Sequence, residues 1–355
     1  MTKTLTPSAL QQSTAYVRPH LVAVLDRIHP DLREVCKYHL GLIDEKGNPT
    51  NGRSGKMIRA CVAVLAAEVV DADPAQALPA AIAIELVHNF TLLHDDILDG
   101  DELRRGCPTA WRAFSTGAAI LAGDSLFAAA LELLAQAPDS SLAVAELLSS
   151  SNRVIRAWAN EAVLDRTPAN EIAIDDYIAN CAAKADLLPS AAAIAILLVG
   201  GDSTIAHGLR TVVSHASAAL QIANDLEDLW GDPILVGKPG LQDLRQHKHT
   251  LPVIASLQSR HPLASELISL LTKPNLSETD LAVAARLIHD TGGREQAERA
   301  ASEQLREALT ALARLDISDR HRDKFREVIL YAVTREPEIW IWHKPETLTG
   351  TNHGL

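Results

Sequence analysis

Between Ala75 and Asp99 the chain is one long run of apolar residues at helical spacing, and it ends in three carboxylates. Glu85, His88, Leu92, Asp95 and Asp99 follow at intervals of three, four, three and four. They therefore form one stripe on an α-helix, with Asp95 and Asp99 a turn apart and projecting together. Carboxylates at a helix C-terminus oppose the helix dipole. Such a placement implies a compensating cation, and paired carboxylate oxygens suit Mg2+. The next residues, Gly100-Asp101-Glu102-Leu103-Arg104-Arg105-Gly106, add two guanidinium groups. Metal-binding carboxylates beside arginines can together hold a diphosphate.

The same helical spacing recurs along most of the chain, and no alternating strand pattern stands out. Helices are expected near 15–38, 56–71, 75–99, 117–136, 141–164, 171–199, 204–231, 250–259, 278–291, 294–314 and 319–335. No low-complexity linker interrupts them. The expected fold is all-α, a single domain over 1–335 with a C-terminal tail over 336–355. Trp340 and Trp342 in that tail are expected to pack on the body or on a neighbouring subunit; closing over the site is the alternative use. Asp plus Glu outnumber Lys plus Arg by 45 to 33, a net charge of −12, which disfavours a nucleic-acid partner. The polar start, Met1 to Gln12, lacks a signal-peptide core. Apolar stretches such as Ala191 to Gly200 are too short to span a bilayer. These features point to a soluble cytoplasmic protein. The scattered cysteines (Cys36, Cys61, Cys107, Cys181) read as buried or idle thiols.

A second acidic cluster, Asn224-Asp225-Leu226-Glu227-Asp228, follows Gln221 near another helix end. Alone it would be an ordinary helix terminus beside Gly231. As a partner to the first cluster it gains meaning, because two such helices can face each other across a cavity and grip a metal–diphosphate from both sides. The basic candidates are Lys56 and Arg59, which share a helix face, then Lys184, Lys238 and Lys248. A lone helical lysine is ordinarily solvated or snorkelling. Lys184 is the strongest exception, lying among Ala182, Ala183, Ala185, Leu187 and Leu188. A lone His88 or Gln221 would ordinarily be a satisfied residue in a helix interface; His88 shares its stripe with Asp95.

Together these residues resemble the trans-type polyprenyl diphosphate synthases, in the family's order, from about Gly55 to Pro252. The first aspartate-rich motif is matched by Asp95-Asp96-Ile97-Leu98-Asp99, with Arg104-Arg105-Gly106 at the short-loop spacing. Gly55 to Arg59 resembles the Gly-Lys-x-x-Arg motif, Glu85 and His88 the Glu-x-x-His element, and Ala122-Gly123-Asp124 the Ala-Gly-Asp helix start. Lys184 matches the lysine of the Lys-Thr motif. Gly237-Lys238-Pro239, Asp243-Leu244 and Lys248-x-Thr250-Leu251-Pro252 match the segment after the second acidic motif. There are departures. Asn224 stands where the family usually has Asp, Ala185 replaces Thr, Leu220 replaces Phe, and Leu241 and His247 replace glycines.

The resemblance implies a helical bundle around a deep apolar cavity, in a homodimer. It implies condensation of isopentenyl diphosphate with an allylic diphosphate, using about three Mg2+ ions. Asp95, Asp99 and Asn224 would bind metal directly, and Asp96, Asp225 and Asp228 would support the shell. Arg104, Lys184, Lys238 and Lys248 would clamp the allylic diphosphate. Lys56, Arg59, His88 and Arg105 would hold isopentenyl diphosphate, with Gln221 near the reacting carbons. An aromatic at Phe90 and the smaller Thr91 imply a C20 product, geranylgeranyl diphosphate, ahead of C15 farnesyl diphosphate; simple core packing is the alternative reading of Phe90. Two other functions compete. A class I terpene cyclase of the same fold would need no second diphosphate site. A weakly active regulatory or scaffolding subunit would account for Asn224 and Ala185.

Overall fold

The computed structural model describes residues 6–50, 55–233 and 239–334. The described chain is an all-α bundle, and its two longest helices carry the two acidic clusters. The first is α4 (Pro74–Leu98), preceded by α1 (Ser8–Leu25), α2 (Pro30–His39) and α3 (Ile58–Val69). A short hairpin, β1 (Leu103–Arg104) and β2 (Cys107–Pro108), leads to α5 (Ala110–Ala113), α6 (Thr116–Ala135) and α7 (Ser141–Leu164). Then come α8 (Ile174–Lys184), α9 (Leu187–Leu198) and the second long helix, α10 (Ser203–Trp230). The chain closes with α11 (Gln242–Arg245), α12 (Leu251–Leu257), α13 (Ala264–Leu271), α14 (Glu278–Asp290), α15 (Gly293–Arg314) and α16 (Asp319–Val333).

Both long helices start on an aspartate cap. Asp73 accepts the Ala75 backbone N–H at 2.9 Å, and Asp202 accepts that of Thr204 at 2.7 Å. α4 packs against α3, α6 and α9; α10 packs against α8, α9 and α15. α9 lies between them and is buried along nearly its whole length. The buried faces of α3, α4 and α9 are rich in alanine, which lets the backbones approach closely. Glycine does so where even a methyl group is too large. A Cβ on Gly123 of α6 would meet the His94 ring of α4 at 2.7 Å. The Ala-Gly-Asp motif thereby seats α6 against α4, and His94 stacks edge-on with Phe90 at 4.6 Å.

Several expectations need correction. The helix expected over 15–38 is two helices, because Pro30 cannot continue α1 and restricts His29 to extended backbone. The helix over 171–199 breaks at Ala185-Asp186, where Pro189 offers no N–H to the Ala185 carbonyl. α13 has no counterpart among the expected helices. The β hairpin is also new: Arg105 and Gly106 both take positive φ (53° and 73°), the tight two-residue turn that reverses a strand. On length the membrane expectation fails, since α4 and α6 are each long and apolar enough to cross a bilayer. α4 buries 72% of its apolar window inside the bundle, whereas α6 buries only 39%. The Trp340/Trp342 tail lies outside the described residues, as does Lys238.

Leu241 and His247, the replacements for glycine, both adopt left-handed backbone, with φ of 63° and 56°. A side chain costs about 1–2 kcal/mol in that region. Leu241 recovers part of this by packing beside α14. His247 is equally half-buried but polar, so His247→Gly is expected to stabilise the protein by about 0.5–1 kcal/mol, read as a higher urea midpoint.

Candidate active site

A cavity of about 780 Å³ opens between the C-terminal ends of α4 and α10. Asp95 and Asp99 line one side; Gln221, Asn224, Asp225 and Asp228 line the other. The two acidic helix ends thus face one shared hollow. Lys184 and Lys248 enter from the walls between them. Lys184 Nζ donates to Glu161 at 2.7 Å, and Lys248 Nζ donates to Asp99 at 2.9 Å. A further 3.7 Å separates Lys248 from Asp243.

The electrostatics follow from burial. Desolvation raises the Asp95 carboxyl above its ordinary range, opposed by Lys184 and reinforced by Asp99. Asp225 is raised well above that range, first by burial and then by Asp243. The Tyr177 hydroxyl donates to Asp225 Oδ2 at 2.6 Å and fixes its direction. Burial works against a charged Lys184, but Asp95 and Glu161 outweigh it and raise its pKa. The same balance, with Asp99 as the leading partner, holds for Lys248. Asp228 is tied more closely to the fold. Its two oxygens accept the backbone N–H groups of Gln242 and Asp243 at 3.1 and 3.0 Å, which locks the start of α11 against α10.

The second wall is basic. Lys56, Arg59, His88 and Arg105 line the same cavity together with Arg18 of α1. Glu85 is buried and accepts the Ala60 backbone N–H at 3.0 Å, which fixes the start of α3 and with it Arg59. Burial, then Arg59 and Arg105, lower the His88 pKa, so this ring is neutral. Gly55 has a steric task. A Cβ there would lie 2.9 Å from an Arg105 guanidinium nitrogen, so glycine lets that side chain cross over the loop. Lys56 also sits 5.1 Å over the Tyr331 ring of α16, a cation–π contact that closes this wall.

Two expected site residues lie elsewhere. Asp96, expected to support the metal shell, does not line the cavity. It is 1% exposed, and Arg104 donates to its Oδ1 from Nε at 2.7 Å and from Nη2 at 2.6 Å. One residue along a helix turns the side chain by about 100°, so Asp96 points behind the stripe and anchors Arg104 instead. Phe90 is nearly opposite the stripe for the same reason. Its ring packs on His94 and on Phe127, 5.1 Å away, behind the cavity wall that Thr91 and Leu92 form. Lys238 falls outside the described residues.

Glu161, Tyr177 and Arg18 were missed from sequence. Glu161 lies 23 residues before Lys184 and across two helix boundaries, a separation that carries no local signal.

The donor set fits Mg2+. Asp95 and Asp99 on one side and Asn224, Asp225 and Asp228 on the other supply carboxylate and amide oxygens, the hard donors that ion prefers. Among the described residues, no three His, Cys, Asp or Glu side chains converge into a closed metal centre.

Asp243 provides a pH test. Burial and then Asp228 raise its carboxyl from 3.8 to about 7. The unfolded carboxyl titrates near its ordinary value, so folding carries an extra charging cost that is absent below pH 4 and complete above about 7. Asp243→Asn is expected to raise the urea midpoint at pH 8 and to leave it unchanged at pH 3.5.

Comparison with known proteins agrees with this geometry. Residues 43–288 match the family model described as polyprenyl synthetase. The chain is 34% identical over 326 residues to a (2E,6E)-farnesyl diphosphate synthase of Mycobacterium tuberculosis, covering 90% of each chain. It is 36% identical over 307 residues to a geranylgeranyl diphosphate synthase of the same species, covering 85% of this chain and 87% of that one. A polyprenyl synthetase crystal structure from Streptomyces coelicolor superposes with a TM-score of 0.84 at 37% identity, covering 92% of this chain and 99% of that one.

Proposed function

Because this chain belongs to the polyprenyl synthetase family and is a trans-prenyltransferase, we propose that it joins isopentenyl diphosphate to an allylic diphosphate, giving geranylgeranyl diphosphate. The observation that carries this reading is the pairing of two unlike walls around one cavity. One wall presents carboxylates with lysines; the other presents cations around a neutral histidine. The first can ionise a diphosphate, and the second can hold one without a metal.

The residues divide the work accordingly. Asp95, Asp99 and Asn224 would hold Mg2+ directly, with Asp225 and Asp228 supporting the surrounding shell and about three ions expected in all. Mg2+ held by these residues would supply Lewis-acid chemistry, drawing charge from the allylic diphosphate so that it could leave. Arg104, Lys184 and Lys248 take its remaining oxygens; Lys184 and Lys248 give up their contacts with Glu161 and Asp99 to do so. As the C–O bond breaks, the double bond of isopentenyl diphosphate attacks the allylic cation, and a proton leaves to the departing diphosphate. Lys56, Arg59, His88 and Arg105 orient the attacking molecule, and Gln221 faces the reacting carbons. Tyr177 keeps Asp225 aimed at the cavity. Asn224 contributes a neutral oxygen, so the site carries one negative charge fewer than an aspartate would give.

The basic wall favours elongation over cyclisation, which has no use for a second diphosphate. Chain length falls to Thr91, which lines the cavity one turn before Asp95. Its small side chain leaves the path open. The exposed apolar side chains Ile120 and Leu121 of α6, with Leu148 and Ile155 of the adjoining α7, support a homodimer through these helices.

Purified protein with Mg2+, isopentenyl diphosphate and farnesyl diphosphate is expected to yield a C20 alcohol after removal of the diphosphate. Chelation should abolish the product. A hydrocarbon formed from geranylgeranyl diphosphate alone would identify a cyclase instead. Thr91→Phe is expected to stop elongation at C15, checked by chromatography of the same alcohols.

A further inference from the structure

The 50° break between α8 and α9 sits at the end of the helix that carries Lys184. Pro189 creates it by removing one N–H and crowding the Ala185 carbonyl. A proline kink alone permits a range of angles. A buried polar knot selects one of them here. Asp186, 6% exposed, lies in the break two residues after Lys184. Arg210 of α10 donates to its Oδ1 at 2.6 Å, and Arg153 of α7 donates to its Oδ2 at 2.7 Å. The single Ser190 hydroxyl proton is shared between this Oδ2, at 3.1 Å, and Glu146. Glu146 of α7 closes the knot, accepting from Arg153 and Ser190 at 2.9 Å each and from Arg210. Two guanidinium groups balance two carboxylates. None of these five side chains lines the cavity, whereas Lys184, Ala185, Leu187 and Leu188 do.

We propose that Asp186 is a positioning residue for Lys184. Gripped on both oxygens by α7 and α10, it sets the direction in which the last turn of α8 leaves the break. That direction brings the Lys184 ammonium to Glu161 on α7 and beside Asp95 and Asp99. The helices that hold Asp186 are the ones that carry Glu161 and the second acidic cluster. The knot therefore places the lysine relative to both. This inference rests on the reading that Lys184 grips the allylic diphosphate.

Steady-state kinetics of the full-length enzyme test it, with both substrates varied. Asp186→Asn is expected to raise KM for the allylic diphosphate about tenfold and to move KM for isopentenyl diphosphate less than about twofold. In a Lys184→Met background the same substitution should add less than about twofold, because the two act through one contact. Ser190→Ala keeps all four charges and should shift the allylic KM in the same direction by about two- to threefold. It remains decisive should Asp186→Asn fail to fold. A purely structural knot would lower the melting temperature without changing the ratio of the two KM values, and that result overturns the proposal. So do effects of Asp186→Asn and Lys184→Met that multiply in full. If Lys184→Met itself leaves the allylic KM unchanged, the underlying reading of Lys184 falls and the proposal with it. If Lys184→Met raises the allylic KM while Asp186→Asn and Ser190→Ala do not, only the positioning role is lost.

Discussion

The structure depends on buried lysines set against carboxylates across a cavity that water alone would fill. Lys248 on Asp99 and Lys184 on Glu161 span elements far apart in sequence. Each lysine is less than a fifth exposed. Removing one member of such a pair costs about 3–5 kcal/mol when the other is left buried. The pairs therefore tie the end of α4 to the segment before α12, and the end of α8 to α7, around the cavity. They also define what the site awaits. Excess carboxylate remains once the lysines are counted, and burial has already raised Asp95 and Asp225. Under the proposed reading, a divalent cation would relieve this repulsion and free the lysines for an anion.

The opposite wall works by restraint. Arg59, Arg105 and Lys56 would repel one another if nothing intervened. Glu85, buried beneath them, compensates part of the charge, and His88 adds none because burial keeps it neutral. Arg104 still repels Arg105, but its paired bond to buried Asp96 compensates its own charge and holds it in place. One hairpin turn thus sends two adjacent arginines to two different tasks. In the proposed reaction, a diphosphate on the basic wall would keep its C–O bond, away from the acidic cluster, and one on the acidic wall would lose it. This division would account for the different fates of the two substrates.

Much of this was legible in sequence because it is local. The stripe from Glu85 to Asp99 follows from helical spacing alone, and the match of each motif lies within a few residues. The same spacing, read further, excludes Asp96 and Phe90 from the stripe. Motif membership had placed them at the site, and helix geometry turns them behind it. The left-handed backbone at Leu241 and His247 was signalled by their standing in place of glycine. The hairpin at Arg105-Gly106 had a turn residue but strands too short to show a period of two.

By itself, the sequence determined the helical class, the two acidic helix ends and the cations that accompany them, because each is set by neighbours within one or two turns. Only the tertiary structure decided how these parts face one another. Glu161 meets Lys184, Tyr177 meets Asp225, and Arg153 and Arg210 meet Asp186 across 23 to 48 residues of chain. Such contacts depend on helix crossing angles and on the break at Pro189. Those are fixed by packing of the whole bundle, and no short stretch of residues encodes them.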